Sequence, residues 1–327
     1  MYEDLSEKKS LTDALPALSD EAQKRLHDRT VCELVCTGNF FDGGTFTRKQ
    51  IAEILLKNEV VPSHTLTEHI AALNAAHAYK FAVAYAAKRT ANSLDEKDVK
   101  EIHRVLTRDL DDENAGYYRG AGLKFADTER ELPTPARVQR MMTDFGMWLY
   151  TVHSLHPVAM AAEAHLRLME IQPFAKSNAA VARTLMNLIL LMHGYAPALF
   201  LRREKKEYHA ALYDALFNNN REDYDKLIAR AVKRGFELRK RAAMTDDSDS
   251  ADADPYFMRI GGLAKESGER VSAIRFWTQA GLLETAGKTS AGYVLYSSEA
   301  LGQIQRLRKL KDERYTLEEI RKIVQAE

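Results

Sequence analysis

The stretch of residues 171–187 reads I-Q-P-F-A-K-S-N-A-A-V-A-R-T-L-M-N, and it decides the fold. Pro173 and Phe174 indicate a tight turn, small residues follow, and the apolar run over residues 181–192 predicts a helix. A helix that starts after a tight loop presents free backbone N–H groups and the positive end of its dipole. The sequence therefore predicts a loop at which an anion can bind, leading into a buried helix.

Four residues of this stretch carry a family resemblance. Pro173, Phe174, Asn178 and Arg183 stand in register with the signature His-Pro-Phe-x-Asp/Glu-Gly-Asn-Gly-Arg-x-x-Arg, so the stretch resembles the Fic family. Members of that family transfer nucleotidyl groups, usually AMP from ATP, to protein hydroxyls. The resemblance spans roughly residues 30–235 and implies a mainly α protein, an all-helical bundle with a small β-hairpin flap.

The residues that are catalytic in the family signature are replaced in this sequence. Gln172 stands for the family His, Lys176 for the acidic residue, Ser177 and Ala179 for the glycines, and Ala180 for the first Arg. Glutamine has no proton affinity near pH 7, where histidine is poised to act as a base. Loss of a general base alone typically costs ~10²–10⁴-fold in rate. We therefore predict that no residue of this stretch is catalytic.

The basic residues that remain in this stretch indicate that it binds an anion and does not transfer a nucleotidyl group. Lys176 places a positive charge where Mg²⁺ requires carboxylate oxygen, so no metal site and no required cofactor are expected. Lys176, Asn178 and Arg183 remain candidates for holding a nucleotide or a simple anion. ATP and Mg²⁺ would be needed only if the chain were an enzyme with atypical active-site residues.

Residues 37–47, T-G-N-F-F-D-G-G-T-F-T, form a second feature of the resemblance. Their glycines end a helix, and Thr47 can cap the next one over residues 48–57. Many Fic proteins carry Ser-x-x-x-Glu-Gly-Asn here, with a Glu that pairs with the last Arg of the signature and blocks productive ATP binding. Asp42 stands for that Glu and Gly38 for the Ser. Because Asp is one methylene shorter, we expect it not to reach Arg183, so that self-inhibition is lost with catalysis.

Residues 116–135 are β-prone and predict a two-stranded hairpin. In Fic proteins the equivalent flap pairs its edge with the backbone of the target protein, a strand-addition mode. The candidate flap residues are Gly116, Arg119, Leu123 and Phe125. The alternative is a surface hairpin without a partner.

Composition excludes several classes of protein. Among 327 residues, Lys+Arg 47 balances Asp+Glu 47, so the whole chain should not bind nucleic acid non-specifically and any such binding needs a local patch. Cys32 and Cys36, four residues apart, are expected to be buried thiols of one helix face; a metal or disulfide role is the alternative. With no apolar run near the ~18 residues of a membrane span, we expect a cytoplasmic protein without membrane contact.

The C-terminal part reads as a separate module. Residues 245–254, T-D-D-S-D-S-A-D-A-D, repel one another and predict a flexible linker. The predicted domains are an N-terminal helical segment with the inhibitory motif (1–60), a Fic-like domain (61–243), the acidic linker (244–254) and a winged helix-turn-helix domain (255–327). Residues 255–327 resemble MerR-type regulators through Ile-Arg-x-Trp-x-x-x-Gly-Leu-Leu, a wing Gly-Tyr-x-x-Tyr and a final Tyr-x-Leu-Glu-Glu-Ile-Arg.

In a DNA-binding helix-turn-helix, the N-terminus of the second helix enters the major groove. The candidate DNA-binding residues are Arg270, Ser272, Arg275, Lys288, Tyr293 and Tyr296. Val294 stands where the family wing usually carries Arg, which removes one phosphate or minor-groove contact. A helix-turn-helix kept for protein interaction is the alternative. MerR regulators dimerise through a coiled coil after this domain, for which no room is left here, so a homodimer would form through the Fic-like region.

These features predict a catalytically degenerate Fic-like protein that acts as a DNA-binding transcriptional regulator or adaptor and senses a nucleotide or anion. One alternative is a Fic-type nucleotidyltransferase with atypical active-site residues. The other is an interaction scaffold that uses the flap.

Overall fold

The computed structural model describes residues 2–89, 93–125, 128–152, 154–244, 257–285, 287–288, 293–297, 299–313, 315–316, 318–320 and 323. The chain divides into two compact units, Met1–Lys240 and Arg241–Glu327. The first unit includes residues 1–60, which the sequence set apart as a segment of their own. The predicted linker, apart from its first residue, Met244, lies outside the described residues.

The first unit is built from α-helices joined by short loops. They are α1 (Tyr2–Asp13), α2 (Asp20–Phe41), α3 (Arg48–Lys57), α4 (Leu66–Ala86), α5 (Glu96–Thr107), α6 (Pro135–Thr151), α7 (Pro157–Ile171), α8 (Asn178–Met192), α9 (Lys205–Phe217) and α10 (Glu222–Met244), with 3₁₀ turns at Asp112–Asn114 and Arg202–Glu204. Helix α10 continues past the division between the two units. The mainly α fold predicted from the sequence is confirmed.

Helix α8 lies at the centre of this unit, packed against α4, α5 and α7. Its residues Val181, Leu185, Leu188 and Ile189 have no exposed surface. The predicted apolar helix is therefore confirmed, and it begins three residues earlier than predicted, at Asn178. Because α8 directly follows the loop of residues 172–177, burial of its apolar face fixes that loop relative to the rest of the core.

A second core cluster joins α2, α3 and α4. Cys32 and Cys36 are buried within it as thiols and form no disulfide, as predicted. Burial raises the pKa of Cys32 to about 11, so the thiol stays protonated and unreactive at neutral pH. Thr47 caps α3, accepting the N–H of Gln50 at 3.3 Å, as its position in the sequence predicted.

The hairpin predicted over residues 116–135 is shorter than expected. Among its described residues, the pairing is one antiparallel bridge between Lys124 and Glu131, flanked by backbone hydrogen bonds from Leu132 to Leu123 (2.9 Å) and from Phe125 to Arg130 (2.8 Å). The segment before it turns inward instead, because the backbone N–H of Arg119 donates to the Pro173 carbonyl at 2.9 Å.

The second unit has its own core around a small antiparallel sheet in the order β1–β3–β2. Its elements are β1 (Phe257–Arg259), α11 (Ile260–Ser267), α12 (Val271–Gln279), β2 (Gly287–Lys288), β3 (Val294–Ser297) and α13 (Glu299–Asp312). The turn between α11 and α12 is made by Gly268 at φ +72°, a conformation that favours glycine. The helix-turn-helix and the two wing strands agree with prediction. Strand β1 was missed, since three residues carry too little pattern.

In the part of the chain that the structure describes, no helix is both long and apolar enough to cross a membrane.

Because each unit has its own core, a core mutation in one unit should destabilise that unit and not the other. We expect Leu185→Ala, in α8, to lower the stability of the first unit by about 2–5 kcal/mol, the usual effect of such a cavity. Hydrogen exchange of the full chain should then accelerate in peptides of α7 and α8 but not in those of α13. The matched variant Ile274→Ala, in the core of the second unit, should give the reverse pattern; equal acceleration in both units would contradict two separate cores.

Candidate functional site

A cleft of about 1060 Å³ opens in the first unit beside the loop that precedes α8. Its walls come from the C-terminal end of α2, from α4, from the flap, from the α7–α8 loop and from α9. Asp42, Lys176, Asn178 and Arg183, which were singled out from the sequence, line it together, as do Gln172, Leu123 and Phe125. The cleft is the place where the predicted anion loop and the predicted inhibitory residue meet.

Asn178 closes the loop instead of facing a ligand. Its Oδ1 accepts the N–H of Phe174 at 2.9 Å, and its Nδ2 donates to the Phe174 carbonyl at 2.7 Å. Both ends of the amide are thus used on one residue, four positions earlier in the chain. This pair of hydrogen bonds forces the tight turn that the Pro-Phe dipeptide predicted.

Phe174 is in turn fixed by a histidine of α5. Its ring has no exposed surface and stacks on His103, with centroids 3.8 Å apart and an interplanar angle of 5°. His103 Nδ1 accepts the N–H of Gly116 at 2.9 Å. Burial lowers the pKa of His103 to about 4, so the ring is neutral near pH 7 and stacks as an apolar surface.

Gly116 has a backbone conformation that favours glycine, with φ +78°. A Cβ there would also lie 2.7 Å from Nε of Arg104, whose exposed side chain would have to move. Of the four candidate flap residues, Gly116 therefore has a backbone role.

Arg119 links the flap to the loop between α7 and α8. Its side chain is buried and donates Nε to the carbonyl of Gln172 (2.8 Å), Nη1 to Ala121 (2.9 Å) and Nη2 to Pro133 (2.5 Å). Because each of its three nitrogens donates to a backbone carbonyl, the Arg119 side chain points into the protein and not outward toward a partner. Phe125 is also buried and Leu123 is half-buried, so these candidates for target contact pack inward.

Gln172 ends α7 in the left-handed conformation, with φ +42°. Its N–H donates to Leu168 at 2.8 Å, and its carbonyl accepts from Arg119. The residue is buried at the edge of the cleft, at the position where the family signature has its histidine. An amide side chain there can donate or accept a hydrogen bond but cannot take a proton near pH 7.

The first turn of α8 faces the cleft without a side-chain cap. Ser177, its N-cap, has φ +62° and makes no capping hydrogen bond. The amides of Ala179 and Ala180 belong to this turn, and both residues line the cleft. Lys176 is exposed at the same end. Free amides, the helix dipole and a lysine together favour a negative group.

Asp42 reaches Arg183, contrary to the expectation from its shorter side chain. Asp42 Oδ2 lies 2.6 Å from Nη2 of Arg183, with the two side chains 42% and 11% exposed. Two hydrogen bonds hold the end of α2 at this distance, one to the segment before α9 and one from the first residue of α9. Thr37 Oγ1 donates to the Phe200 carbonyl (3.2 Å), and Lys205 Nζ donates to the Phe40 carbonyl (2.8 Å).

The pair dominates the charge of the cleft. Burial disfavours the charged guanidinium, but the carboxylate of Asp42 raises the pKa of Arg183 above its ordinary value. Arg183 is therefore a permanent cation that is paired with the half-exposed Asp42.

Two carboxylates line the cleft among its described residues, and both have partners. Asp42 pairs with Arg183, and Glu68 Oε2 accepts the N–H of Thr65 at 2.8 Å as part of a helix cap. Across the described residues, no group of three or more His, Cys, Asp or Glu side chains could hold a metal ion. Lys176 lines the cleft at the position where the family signature has its acidic residue.

The C-terminal candidates divide into exposed and buried residues. Arg270, Ser272 and Arg275 are exposed at the start and on the outer side of α12, and Tyr293 is 55% exposed beneath the guanidinium of Arg259, 4.5 Å from its ring. Tyr296 is 1% exposed, and its hydroxyl lies 2.9 Å from Thr278 Oγ1. Tyr296 is thus a core residue and no DNA contact. The side chain of Lys288 lies outside the described residues.

Residues 93–190 match the model of the Fic/DOC family, and residues 258–327 match that of the MerR HTH family regulatory proteins. The chain therefore contains a Fic-type domain followed by a MerR-type helix-turn-helix domain.

Curated relatives carry the first of these domains. The protein adenylyltransferase Fic of Nematostella vectensis is 27% identical over 236 residues, which are 72% of this chain and 54% of that protein. The protein adenylyltransferase Fic of Aedes aegypti is 28% identical over 244 residues, 72% of this chain and 47% of that protein. The chain thus spans about half the length of these relatives.

Solved structures agree on the fold. Fic-1 from C. elegans superposes with a TM-score of 0.67 at 22% identity, covering 75% of this chain and 72% of that one. A Fic-domain signaling protein from Bacteroides thetaiotaomicron gives 0.64 at 21%, covering 76% and 99%. A Fic family protein from Desulfovibrio desulfuricans gives 0.59 at 18%, covering 91% and 95%.

Removing the Arg119 side chain tests its role as the tie between flap and loop. Arg119→Ala leaves the carbonyls of Gln172 and Pro133 without this donor, and we expect a loss of about 2–4 kcal/mol in unfolding free energy. Arg140→Ala, on the exposed side of α6, should change stability by no more than about 0.5 kcal/mol. Denaturant unfolding of both variants checks this; equal effects would mean that Arg119 is a surface residue in solution.

Proposed function

We propose that the protein is a DNA-binding regulator whose Fic-type cleft binds an anionic ligand, a nucleotide or pyrophosphate-like group, without transferring it. The observation that carries this is the composition of the cleft around Arg183. A permanent cation, a lysine and an uncapped helix start converge there, while the position of the family base holds Gln172.

The ion pair explains why the cleft can respond to a ligand. Arg183 is almost completely buried on its other sides, whereas its partner Asp42 is 42% exposed. An anion that reaches Arg183 must displace Asp42, and the lost ion pair is replaced by a new one. Such an exchange costs little for a half-exposed carboxylate, which regains water when it leaves.

Transfer is disfavoured by what surrounds the same pair. Group transfer to a hydroxyl requires a base to remove its proton, and Gln172 offers none near pH 7. Lys176 and Arg183 would neutralise the phosphate oxygens of a bound ligand, so that no metal ion is needed to hold it. A ligand held in this way is bound through its charge and released unchanged.

DNA binding is proposed from the second unit alone. The exposed residues Arg270, Ser272 and Arg275 lie at the N-terminal half of α12, the part of a second helix that enters the major groove. Tyr293 and Arg259 form an exposed pair beside the wing. A DNA-binding module and a ligand-binding cleft in one chain suit a regulator.

A nucleotidyltransferase is the second candidate, because the curated relatives are named protein adenylyltransferase Fic. It requires that another group replace the missing base and that the phosphates be neutralised without the usual carboxylate. The two candidates differ in whether a nucleotide becomes covalently attached to protein.

Metal-free anion binding is the first consequence. Titration calorimetry of the full chain with pyrophosphate should give the same affinity in EDTA as in Mg²⁺. Asp42→Asn should tighten binding roughly two- to fivefold, the usual strength of a half-exposed ion pair. Arg183→Gln should weaken it about tenfold or more, as expected for a charged hydrogen bond. Arg203→Ala, exposed and outside the cleft, serves as the matched control. Binding that requires Mg²⁺ would contradict the proposed site.

DNA binding should depend on α12. Salt-dependent retention of promoter fragments by the full chain should show a slope that falls by about one unit for each of Arg270→Ala and Arg275→Ala, if each contacts a phosphate. Lys309→Ala, exposed on α13, is the matched loss of one charge and should leave the slope nearly unchanged. Retention no stronger than on random DNA for the unaltered chain would favour a protein-interaction module instead.

A further inference from the structure

One buried histidine of α5 contacts both the flap and the anion loop (residues 172–177), with different parts of its ring. His103 is 2% exposed. Its ring face lies on Phe174 of the loop, with centroids 3.8 Å apart and planes 5° from parallel. Its Nδ1 accepts the N–H of Gly116, the first residue of the flap, at 2.9 Å. The ring therefore bridges two segments that are distant in the sequence.

The hydrogen bond from Gly116 fixes the tautomer of this ring. A nitrogen that accepts a backbone N–H carries no proton of its own, so Nδ1 is unprotonated. Burial lowers the pKa of His103 to about 4, so near pH 7 the neutral ring carries its one proton on Nε2. Within the part of the chain that the structure describes, this buried Nε2 has no hydrogen-bond partner. A phenyl ring would avoid the cost of a buried, unpaired N–H, so the hydrogen bond to the flap is what explains a histidine here.

Arg119 transmits the position of the flap to the anion loop. It lies three residues after Gly116, and its backbone N–H donates to the Pro173 carbonyl at 2.9 Å. Its Nε donates to the Gln172 carbonyl at 2.8 Å. A displacement of Gly116 from His103 would therefore change the position from which Arg119 holds the first two residues of the loop.

Phe174 transmits the position of the ring to the first turn of α8. Both its backbone N–H and its carbonyl are hydrogen-bonded to the side chain of Asn178, at 2.9 and 2.7 Å, and Asn178 is the first residue of the helix. The amides of Ala179 and Ala180 follow directly, and both residues line the cleft. The two contacts of His103 thus converge on the same loop from its two ends.

We propose that His103 is a positioning residue for the anion site: its ring face and its Nδ1 hold the loop and the flap in the one arrangement that presents the first amides of α8 to the cleft. The inference rests on the proposed anion binding for its purpose. A side chain that only filled the core would act through its volume, whereas His103 acts through two directed contacts. Each contact can be removed separately.

Two variants of His103 remove one contact each. His103→Phe keeps an aromatic face for Phe174 but loses the acceptor of the Gly116 N–H, whereas His103→Asn offers an amide oxygen but no ring. In titration calorimetry of the full chain, pyrophosphate affinity should fall about fivefold or more in each, the usual strength of one hydrogen bond or one aromatic pair. Unchanged affinity in His103→Phe would mean that the ring only fills space and would overturn the proposal.

A second buried histidine provides the matched control. His69 Nε2 also accepts a backbone N–H, that of Val61 at 3.0 Å, and its ring contacts Phe46 edge-on at 5.4 Å. It does not line the cleft. His69→Phe should therefore change pyrophosphate affinity by less than about twofold, although it also leaves a backbone N–H without its acceptor. Equal losses of affinity in His69→Phe and His103→Phe would indicate a general loss of stability and contradict positioning.

Nitrogen-15 spectra of the full chain at pH 7 test the tautomer without a ligand. We expect the ring of His103, assigned by its absence in His103→Phe, to be protonated at Nε2 and not at Nδ1. Protonation at Nδ1 would remove the acceptor of the Gly116 N–H and overturn the proposal.

Amide hydrogen exchange without ligand tests the link between flap and loop. In His103→Phe, exchange should accelerate at Gly116 and also at Arg119 and Phe174, whose N–H groups bond to or within the anion loop. Acceleration at Gly116 alone would show that the flap and the loop are held independently, which overturns the inference even if pyrophosphate binds. If the unaltered chain binds no pyrophosphate, the proposed function is wrong, and the exchange pattern still decides whether His103 holds the loop.

Discussion

The buried guanidinium of Arg183 is the constraint on which the candidate site depends. A charge taken out of water must be paired and hydrogen-bonded, because an uncompensated buried charge costs several kcal/mol. Arg183 meets this condition with the half-exposed carboxylate of Asp42, whose Oδ2 lies 2.6 Å from its Nη2. The end of α2 must therefore lie close to α8, and this requirement shapes the cleft.

A second constraint acts on the loop before α8, whose backbone must turn sharply while its N–H and carbonyl groups keep hydrogen-bond partners. Asn178 satisfies both backbone groups of Phe174, and Arg119 satisfies carbonyls on the other side of the turn. These two residues use their polar groups on the backbone. The anion site that we propose consists of the first amides of α8, Lys176 and Arg183, which would exchange Asp42 for the ligand. These groups can recognise negative charge.

Local patterns in the sequence predicted local structure well. The apolar run after residue 180, the capping threonine at residue 47 and the two helices around Gly268 are each determined by neighbours in the chain, and the structure has them. The residues that were misjudged depend on distant backbone. Asp42 reaches Arg183 from the end of α2, which hydrogen bonds from Thr37 and Lys205 hold in place, and side-chain length alone does not reveal this backbone position. Tyr296 looked like a wing contact, but the pairing of β3 with the unpredicted β1 turns it into the core.

The central claim is that the Fic-type cleft binds and does not transfer, and one measurement addresses it directly. The full chain is incubated with ATP labelled on the α-phosphate, with and without a cell lysate, and label is counted before and after denaturation. We expect label that is retained by the native protein and lost on denaturation, with none attached covalently to any protein. The variant Gln172→His, which restores the histidine of the family signature, serves as the control for transfer. Label that survives denaturation in the unaltered chain at a level similar to that in Gln172→His would contradict binding without transfer.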